Sequence, residues 1–521
     1  MTGEKKSHYD VVIVGAGGAG LAAAIEAADY GASVVVLEKN PQPGGSTWMS
    51  LGAMTAAGTK HQIRKGIHDD IDAFREDMDI KTGPLAGKDN PEMKDILVRN
   101  LKPTMEWLES LGVAFIGPFP EGSHRVPRMH SVIPSGKAFI HALTRAARKR
   151  KVDIFCSMRV VDLVKARDGR VCGVQCETDT SMQTFRAEAG VVLTTGDFSA
   201  NIDLKKKYYE PDVSELQGLN PTSTGDGHTM GERAGGTLLN MSMNTSMGLR
   251  FPPPPQGHFL YRWESLLLNF PCLARLVAWI ARYLPARIMQ PFLRMVLTCH
   301  MAPEAAMYRN GCILVNAEGK RFTNEVVSYT KEVVNSPVQL VTAVARQPEH
   351  KAYLILDARL ARYFSEPPHG VSTAPGVGWA LFSDYQRSRS EIVYEGNDWE
   401  ELAGKTGFST DILKENVKTF NQAMQGYIPD PFGRQPTNTT LSEPPYYAMG
   451  PLIAYQQTTK GGLKVNANFQ VLDNNDQVIP GLYAAGYTGL GGLLLAGHGV
   501  SVGWAFLSGR IAGRHAAGQT R

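Results

Sequence analysis

The chain has 521 residues, of which 43% are hydrophobic, and its 54 lysines and arginines nearly balance its 50 aspartates and glutamates. This composition excludes an intrinsically disordered chain, and a net charge of only +4 gives no reason to expect nucleic acid as a partner. The six cysteines include no CxxC pair, which argues against a metal site, an iron–sulfur cluster or a disulfide framework. Any electron transfer would therefore need an organic cofactor.

The N-terminal segment, MTGEKKSHYD, is charged and leads directly into an apolar strand. It lacks the apolar core and the cleavage site of a secretory signal peptide. We therefore expect a cytoplasmic protein, with the inner membrane surface as the alternative location.

A strand, a glycine-rich turn and a helix follow one another from residue 9 onward. YDVVIV is typical of a buried strand and LAAAIEAADYG of a helix, and a second apolar strand ends in Glu38. The glycines of such a turn permit a tight bend, a close approach to a pyrophosphate and close helix packing, while the helix N-terminus offers N–H groups to the anion. A carboxylate after the second strand accepts hydrogen bonds from a ribose diol. This order predicts a dinucleotide site whose turn residues are Gly15, Gly17, Gly18, Ala19 and Gly20.

Further motifs follow in order along the chain. They are Pro43–Ser46, Leu51–Thr59, Leu193–Asp197, Thr224–Gly227, Gly311–Glu325, Thr459–Gly462 and Pro480–Gly486. Together they look like the FAD-contact segments of the fumarate reductase and succinate dehydrogenase flavoprotein superfamily. The resemblance covers most of the chain and implies an α/β fold. In this fold a Rossmann-like FAD-binding domain, built from both chain ends, carries an inserted α+β capping (substrate) domain over the flavin.

The resemblance also implies further residues at the FAD. They are Lys39, Gly44, Gly45, Ser46, Gly52, Ala53, Thr195, Gly196, Asp226, Gly486, Val500 and Ser501. A helix that begins near Val500 would direct the positive end of its dipole toward the flavin region where reduction places negative charge. We expect the FAD to be non-covalent, because the segment GGSTWMS at 44–50 offers no histidine for attachment.

Domain boundaries follow from a break in composition. The segment FPPPP at 251–255 is stiff and continues neither a helix nor a strand. We divide the chain into a first part of the FAD-binding domain (1–250), an apolar and basic helical segment (251–300), a capping substrate domain (301–446) and a second part of the FAD-binding domain (447–521).

The segment 261–300 is rich in Leu, Trp, Phe and Met, and Glu264 is its one acid. Two pairs of arginines lie seven residues apart, so each pair falls on one helical face, and Pro285 separates two predicted helices. One interpretation is a basic amphipathic surface that contacts a membrane or lines the mouth of a site for an apolar substrate. The other is an ordinary pair of helices packed on the FAD domain. The arginines are Arg262, Arg275, Arg282, Arg287 and Arg294.

The chain departs from the dicarboxylate reductases of the superfamily at their cationic positions. Thr458 stands where the family has a histidine, and Tyr329 stands where it has the proton-donor arginine. The family's Asn-Arg-Leu-Gly-Gly segment is here a leucine-rich run that ends in AGHG. A pocket without cations cannot compensate two buried carboxylates. We therefore expect a substrate other than fumarate.

A tyrosine after the RFTNE motif and a Gly-x-Gly before the last helix are similar to the 3-ketosteroid dehydrogenase branch. By that resemblance Tyr329 moves a proton and the backbone N–H of Gly499 holds a ketone oxygen. The carbonyl-binding tyrosine of that branch falls here on Leu495, so either His498 replaces it as a donor or the substrate differs. A structural role for His498 and a surface position for Tyr329 are the alternatives.

These features predict an FAD-dependent oxidoreductase that dehydrogenates a CH–CH bond next to a carbonyl in an apolar, 3-ketosteroid-like substrate. Hydride would pass to flavin N5, and a quinone or another acceptor would reoxidise the flavin. The alternative is an enone or enoate reductase that saturates the same type of bond. A third hypothesis, from another class, is a non-catalytic flavin-binding protein at a membrane surface.

Overall fold

The computed structural model describes residues 7–122, 124–177, 181–281, 291, 294–299, 301–326, 338–374 and 378–518. The strands are β1 (His8–Val14), β2 (Val34–Leu37), β3 (Ala53–Thr55), β4 (Phe115–Phe119), β5 (Met129–Val132), β6 (Asp153–Phe155), β7 (Arg159–Lys165), β8 (Val171–Glu177), β9 (Met182–Leu193), β10 (Gln217–Gly218), β11 (Leu238–Leu239), β12 (Met247–Arg250), β13 (Ile313–Val315), β14 (Lys351–Asp357), β15 (Ser372–Ala374), β16 (Gly378–Ala380), β17 (Val393–Gly396), β18 (Tyr446–Gln456), β19 (Gly462–Leu463), β20 (Gln470–Leu472) and β21 (Val478–Ala484). The α-helices span Gly18–Asp29, Gly45–Met49, Lys60–Arg64, Ile71–Thr82, Pro91–Ser110, Lys137–Lys149, Ile202–Tyr208, Pro211–Ser214, Asp226–Arg233, Phe259–Asn269, Pro271–Ala281, Ala305–Arg309, Val338–Ala345, Ala358–Tyr363, Phe382–Ser388, Trp399–Thr406, Thr410–Met424 and Val500–Gly518.

The larger sheet forms a Rossmann-like domain. Its strand order is β20-β21-β9-β1-β2-β6, and β21, β9, β1, β2 and β6 run parallel. Val12 in β1 pairs with Val35 on one side and Val191 on the other, and all three side chains are buried. Strands covered on both faces are almost entirely apolar, which is why YDVVIV and VVVL form its centre.

The two ends of the chain pack together in this domain. The helix Val500–Gly518 crosses the helix Gly18–Asp29 at two glycines, because a Cβ at Gly509 would lie 2.1 Å from the carbonyl oxygen of Ala19. A Cβ at Gly513 would lie 2.2 Å from that of Ala23. Glycine at these two positions therefore lets the last helix complete the domain that the first helix begins.

A second sheet, with its own buried core, forms the cap. Its order is β10-β18-β14-β13, and β12 and β17 also pair with β18. The long strand β18 runs from Tyr446 to Gln456, so the cap sheet extends beyond residue 446. Strands β10 and β12 belong to it although they precede residue 251. Two short strands that precede the FPPPP break, β10 and β12, thus pair with β18, which begins where the predicted cap domain ends.

The predicted basic helical segment is described only in part. Two helices, Phe259–Asn269 and Pro271–Ala281, lie before Arg282, Pro285 and Arg287, which fall outside the described residues. The boundary between these two helices lies near Phe270. Leu267, Ala274 and Ala278 pack against Ile133 of the FAD-binding domain.

Candidate functional site

A cleft opens at the carboxyl ends of the parallel strands β1, β2, β9 and β21. This edge is where open α/β sheets bind ligands. We call it the cofactor cleft. Predicted FAD residues that line it are Gly15, Gly17, Gly18, Ala19, Glu38, Lys39, Gly45, Ser46, Thr195, Gly196, Asp226 and Gly486.

The turn after β1 has the geometry that an anion site requires. Gly15 has a φ of +103°, and a Cβ there would lie 2.7 Å from the carbonyl oxygen of Thr194. The next helix begins after Gly17 without a side-chain cap and without an acid in its first turn. Its first N–H groups thus face the cleft with the positive end of the helix dipole, as a pyrophosphate needs.

Glu38 and Lys39, the two charged residues after β2, line the next part of the cofactor cleft. Glu38 is buried, and its carboxylate accepts hydrogen bonds from the backbone N–H of Ala16 at 2.7 Å and of Asn40 at 2.8 Å. Carboxylate oxygens have further lone pairs, so Glu38 can also accept from a ribose diol. Lys39 donates to Oδ2 of Asp226 at 2.8 Å. This ion pair links the β2 loop to the helix Asp226–Arg233.

Gly486 is positioned by the last helix. Its N–H donates to Oγ of Ser508 at 2.9 Å, and its carbonyl oxygen accepts from Nε1 of Trp504 at 2.9 Å. Its φ of +64° lies in the region that favours glycine. The C-terminal segment therefore contributes to the cofactor cleft through a turn that two buried side chains hold in place.

The other predicted FAD residues do not line the cofactor cleft. Gly20 packs the first helix on the turn, because a Cβ there would lie 1.9 Å from the carbonyl oxygen of Gly15. A Cβ at Gly52 would lie 2.4 Å from Val132, so this glycine serves the packing of a small sheet. Ser501 lines a second cleft instead. The residues that line neither cleft are Gly20, Gly44, Gly52, Ala53 and Val500.

Part of the cofactor cleft is formed by residues outside the predicted motifs. Asn220 and Thr222 lie on a loop before the predicted TGDG motif, and Asn220 donates to Oγ of Ser46 at 3.0 Å. A run of small polar residues, NPTST, is the one signal that marks this loop in the sequence. Other lining residues that the motifs did not indicate include Asn40, Thr47, Met158, Arg159, Val160 and Ser223.

A second cleft, with a cavity volume of about 380 Å³, adjoins the first between the cap sheet and the FAD-binding domain. Thr458 and Tyr487 line both clefts, so the two spaces share a wall. The hydroxyl group of Tyr487 lies 2.9 Å from that of Ser501. We call this space the substrate cleft, because it opens onto one end of the cofactor cleft. Its other lining residues include Met247, Leu249, Arg250, Met301, Glu304, Leu340, Lys460, Leu495, Gly497 and His498.

The expectation of a pocket without cations is wrong. Lys460 and Arg250 both line the substrate cleft, and Lys460 is only 4% exposed. Burial lowers the pKa of Lys460 to about 8, although the charges of Asp89 and Asp197 act to raise it. Among the described residues the ammonium group has no hydrogen bond or ion pair. A buried cation without a partner in the protein is suited to an anionic or strongly polar ligand group.

His498 lies at the edge of the substrate cleft, where the carboxylate of Glu121 contacts both its backbone and its imidazole. Its backbone N–H donates to Oε1 of Glu121 at 3.0 Å, and its Nδ1 lies 3.1 Å from the same oxygen. Lys81 donates to this oxygen as well. Burial raises the pKa of Glu121, but the hydrogen bond from His498 and the charge of Lys81 outweigh it and hold that pKa well below its usual range. The carboxylate thus fixes the imidazole through Nδ1.

The other residues that the resemblance to 3-ketosteroid dehydrogenases singled out lie at different places. Gly499 follows His498 but lines neither cleft, and a Cβ there would lie 2.9 Å from the backbone of Met54. Its φ of +76° and this close approach both require glycine. Leu495 lines the substrate cleft as an apolar side chain. Tyr329 lies outside the described residues.

Known proteins with similar sequences or structures have the same fold as this chain. The chain is 27% identical to a vinyl phenol reductase of Lactiplantibacillus plantarum, over 100% of this chain and 98% of that protein. A solved structure of the open conformation of a flavocytochrome c3 fumarate reductase superposes with a TM-score of 0.76 at 25% identity, over 99% of this chain and 79% of that one. A 3-ketosteroid Δ1-dehydrogenase from Sterolibacterium denitrificans superposes with a TM-score of 0.66 at 19% identity, over 98% and 100%, which shows a common fold alone.

A family model described as an FAD binding domain matches residues 10–265 and 287–498. The turn, the uncapped helix N-terminus and Glu38 fit this cofactor, as described above. The predicted α/β fold, the superfamily and the cofactor are confirmed by this match and by the similar structures. The chain belongs to the FAD binding domain family and is an FAD-dependent oxidoreductase of the fumarate reductase superfamily.

Proposed function

We propose that this enzyme reduces a carbon–carbon double bond conjugated to a carboxylate or a ketone, in a substrate with an apolar body. The observation that carries this proposal is the buried ammonium group of Lys460 in the substrate cleft. This is the reductive direction, the alternative among the predictions from the sequence. Two of the three similar proteins reported above, the vinyl phenol reductase and the flavocytochrome c3 fumarate reductase, are named as reductases.

Lys460 and Arg250 would bind the electron-withdrawing group of the substrate. Bound FAD supplies hydride-transfer chemistry. As hydride is added to the double bond, negative charge moves onto the carboxylate or ketone oxygen. Cations already fixed beside the substrate stabilise this charge more than they stabilise the neutral or delocalised ground state. Arg250 is fixed by the pairing of β12 with β18, where it lies opposite Ile453.

His498 would donate the proton that completes the reduction. Its Nδ1 is held by Glu121, and Nε2 has no hydrogen bond among the described residues. The side chain is 65% exposed at the edge of the substrate cleft, so it can exchange protons with solvent between turnovers. Tyr329 stays a second proton-donor prediction from the sequence.

The walls of the substrate cleft favour an apolar body. Met247, Leu249 and Leu340 lie on the cap side, and Leu495 lies on the side of the FAD-binding domain. Apolar walls with a few fixed polar groups are typical of sites that orient a small molecule by its polar end. We therefore favour an aromatic or long-chain enoate or enone over a small dicarboxylate.

Dehydrogenation of a 3-ketosteroid-like substrate is the second candidate. The leucine at position 495 favours it, because an apolar side chain in the cleft wall suits a rigid apolar ring system. In that direction the same residues would remove a proton, and a quinone or another acceptor would reoxidise the flavin.

Anaerobic half-reactions separate the two candidates. For the proposed reductase, dithionite-reduced enzyme regains the absorbance of oxidised flavin when an enoate or enone is added. For the dehydrogenase, oxidised enzyme is bleached by a saturated 3-ketosteroid. Lys460→Met should abolish the first response while the enzyme keeps its FAD.

A further inference from the structure

Two consecutive helices, Phe259–Asn269 and Pro271–Ala281, form a bent pair on the outside of the FAD-binding domain, at an angle of 111°. Their inner faces are anchored. Leu267 and Ala278 pack with Ile133, and Glu264 forms an ion pair with Lys137. These contacts establish which face of each helix is turned away from the protein.

The outward faces are apolar. In the first helix and just after it, Phe259, Trp263, Leu266 and Phe270 follow at helical spacing and are 44%, 55%, 39% and 59% exposed. The second helix also exposes apolar side chains, those of Leu276, Trp279 and Ile280. The outer face of a helix on a soluble protein is normally polar. Exposed apolar residues clustered on two consecutive helices favour a contact site.

A basic rim borders this apolar surface. The helix Lys137–Lys149 exposes His141, Arg145 and Arg148 along one face. The guanidinium groups of Arg145 and Arg275 both lie over Gly112, where an added Cβ would be 3.5 Å and 2.2 Å away from them. Neither arginine forms an ion pair with any described residue. Two adjacent cations without an acid favour a contact with anions.

We propose that this helix pair and its basic rim dock on an anionic phospholipid bilayer. Tryptophan and phenylalanine are suited to the headgroup region, and arginines beside them are suited to lipid phosphates. No single helix among the described residues is long and apolar enough to span a bilayer, and this bent pair meets that criterion only when its two helices are taken together. In the proposed docking the helices lie in the membrane interface, because Leu267 and Ala278 hold their inner faces against the protein. Trp263 and Phe270 are then inserted, and Arg145 and Arg275 lie at the phosphates.

Vesicle sedimentation tests this proposal with the FAD-loaded enzyme. The enzyme should sediment with vesicles of phosphatidylcholine and phosphatidylglycerol in equal parts, and at least about tenfold more weakly with phosphatidylcholine alone or at high salt. The double variant Trp263→Ser/Phe270→Ser should weaken binding by at least about tenfold, and so should Arg145→Glu.

The matched control variants alter exposed residues on other surfaces of the protein. Tyr427 is 76% exposed and Arg167 is exposed, so Tyr427→Ser and Arg167→Glu should bind vesicles like the unaltered enzyme. Flavin absorbance reports whether each variant is folded; if the double variant loses its FAD, Arg145→Glu decides alone. Two results would overturn the proposal: no binding to the anionic vesicles, or binding that neither variant weakens. If the enzyme does not bind and a dimer, seen by light scattering, is dissociated by Trp263→Ser/Phe270→Ser, the apolar residues serve contact with a second copy instead.

Discussion

The Nδ1 atom of His498 lies 3.1 Å from Oε1 of Glu121, a carboxylate that also accepts a hydrogen bond from the buried Lys81. One anion thus orients an imidazole at the edge of the substrate cleft and compensates a cation beneath it. In Glu121→Gln the ammonium of Lys81 stays buried without its anion. We expect the free energy of unfolding to fall by about 3–5 kcal/mol, measured by denaturant titration.

The pH dependence of stability tests whether the pKa of Glu121 is lowered in the folded protein. The folded-state pKa of Glu121 lies below its ordinary value of 4.5, so its contribution to stability is present above pH 4.5 and is lost as the pH falls toward the folded-state value. The unaltered enzyme should therefore lose more stability than Glu121→Gln when the pH is lowered from 6 to about 3. Parallel losses in the two proteins would contradict this assignment.

Replacement of the two proton-donor candidates separates their roles. We expect His498→Gln to lower turnover by about 100-fold or more with FAD still bound, since general acid catalysis contributes roughly 10²–10⁴-fold. Tyr329→Phe tests the prediction from the sequence in the same way. The variant with near-normal turnover in stopped-flow reduction assays is removed from the mechanism.

Lys460→Met should stabilise the protein while it abolishes substrate binding. The pKa of Lys460 falls from 10.5 to about 8 on folding, which costs on the order of 3 kcal/mol when the ammonium is buried. Methionine keeps much of the volume and removes this cost. Thermal unfolding of the FAD-loaded enzyme should show the gain at pH 7, and the gain should shrink as the pH rises from about 8 to 10.5.

Lys464→Met is the matched control for that variant. Lys464 lies four residues later and pairs at the surface with Asp476. Its loss should change stability by less than about 1 kcal/mol and leave activity intact. A Lys460→Met enzyme that is less stable than the unaltered one would show that the ammonium has a partner in the folded protein.

Substrate affinity should depend on whether the side chain of Lys460 is protonated. Below pH 8 the ammonium form dominates and attracts an anionic substrate, whereas above about pH 8 the amine is neutral. We expect KM for an enoate to rise through this range, with kcat less affected. Lys460→Arg stays charged, so its KM should be flat across the same range. An unchanged KM profile in the unaltered enzyme would exclude Lys460 from substrate binding.

Gly17→Ala separates cofactor binding from folding. A Cβ at Gly17 would meet one protein atom, the carbonyl oxygen of Gly44, at 3.9 Å, so the protein itself has room for it. The methyl group would instead enter the cofactor cleft where a pyrophosphate approaches the turn. We expect FAD affinity to fall by at least about tenfold in flavin fluorescence titrations. The stability of the FAD-free protein should stay within about 1 kcal/mol.

Gly404→Ala is the control for a glycine in open space. No protein atom lies within 4 Å of a Cβ at Gly404. This variant should bind FAD normally and gain up to about 1 kcal/mol from the helix preference of alanine. Equal FAD affinity in Gly17→Ala and Gly404→Ala would show that the turn does not approach the cofactor.

The sequence predicted the cofactor cleft better than the substrate cleft, for a physical reason. The turn at Gly15–Gly20 and the acid Glu38 belong to one local unit of strand, turn, helix and strand, whose spacing is fixed by the chain itself. The superfamily motifs placed Gly486 in the same cleft although it lies near the other chain end. Gly52 and Ala53 show the limit of motif transfer, since they serve the packing of β3.

The substrate cleft depends on contacts that no local pattern encodes. Arg250 ends a strand before the FPPPP break, and Lys460 lies within a motif that the sequence analysis interpreted only as a cofactor segment. They line the same space because β12 pairs with β18 and the chain then turns back toward the flavin domain. Both cations therefore lie at positions that the motifs do not mark, and the charge of the pocket could not be predicted from the motifs alone.

The most direct test of the central claim is an anaerobic one. Dithionite-reduced enzyme is mixed with a panel of aromatic and aliphatic enoates and enones, and flavin absorbance is followed with the unaltered protein and with Lys460→Met. We predict that at least one enoate or enone restores the oxidised flavin spectrum, and that Lys460→Met removes this response without loss of FAD. Oxidised enzyme that is bleached by a saturated 3-ketosteroid, together with reduced enzyme that no enoate or enone reoxidises, would contradict the account.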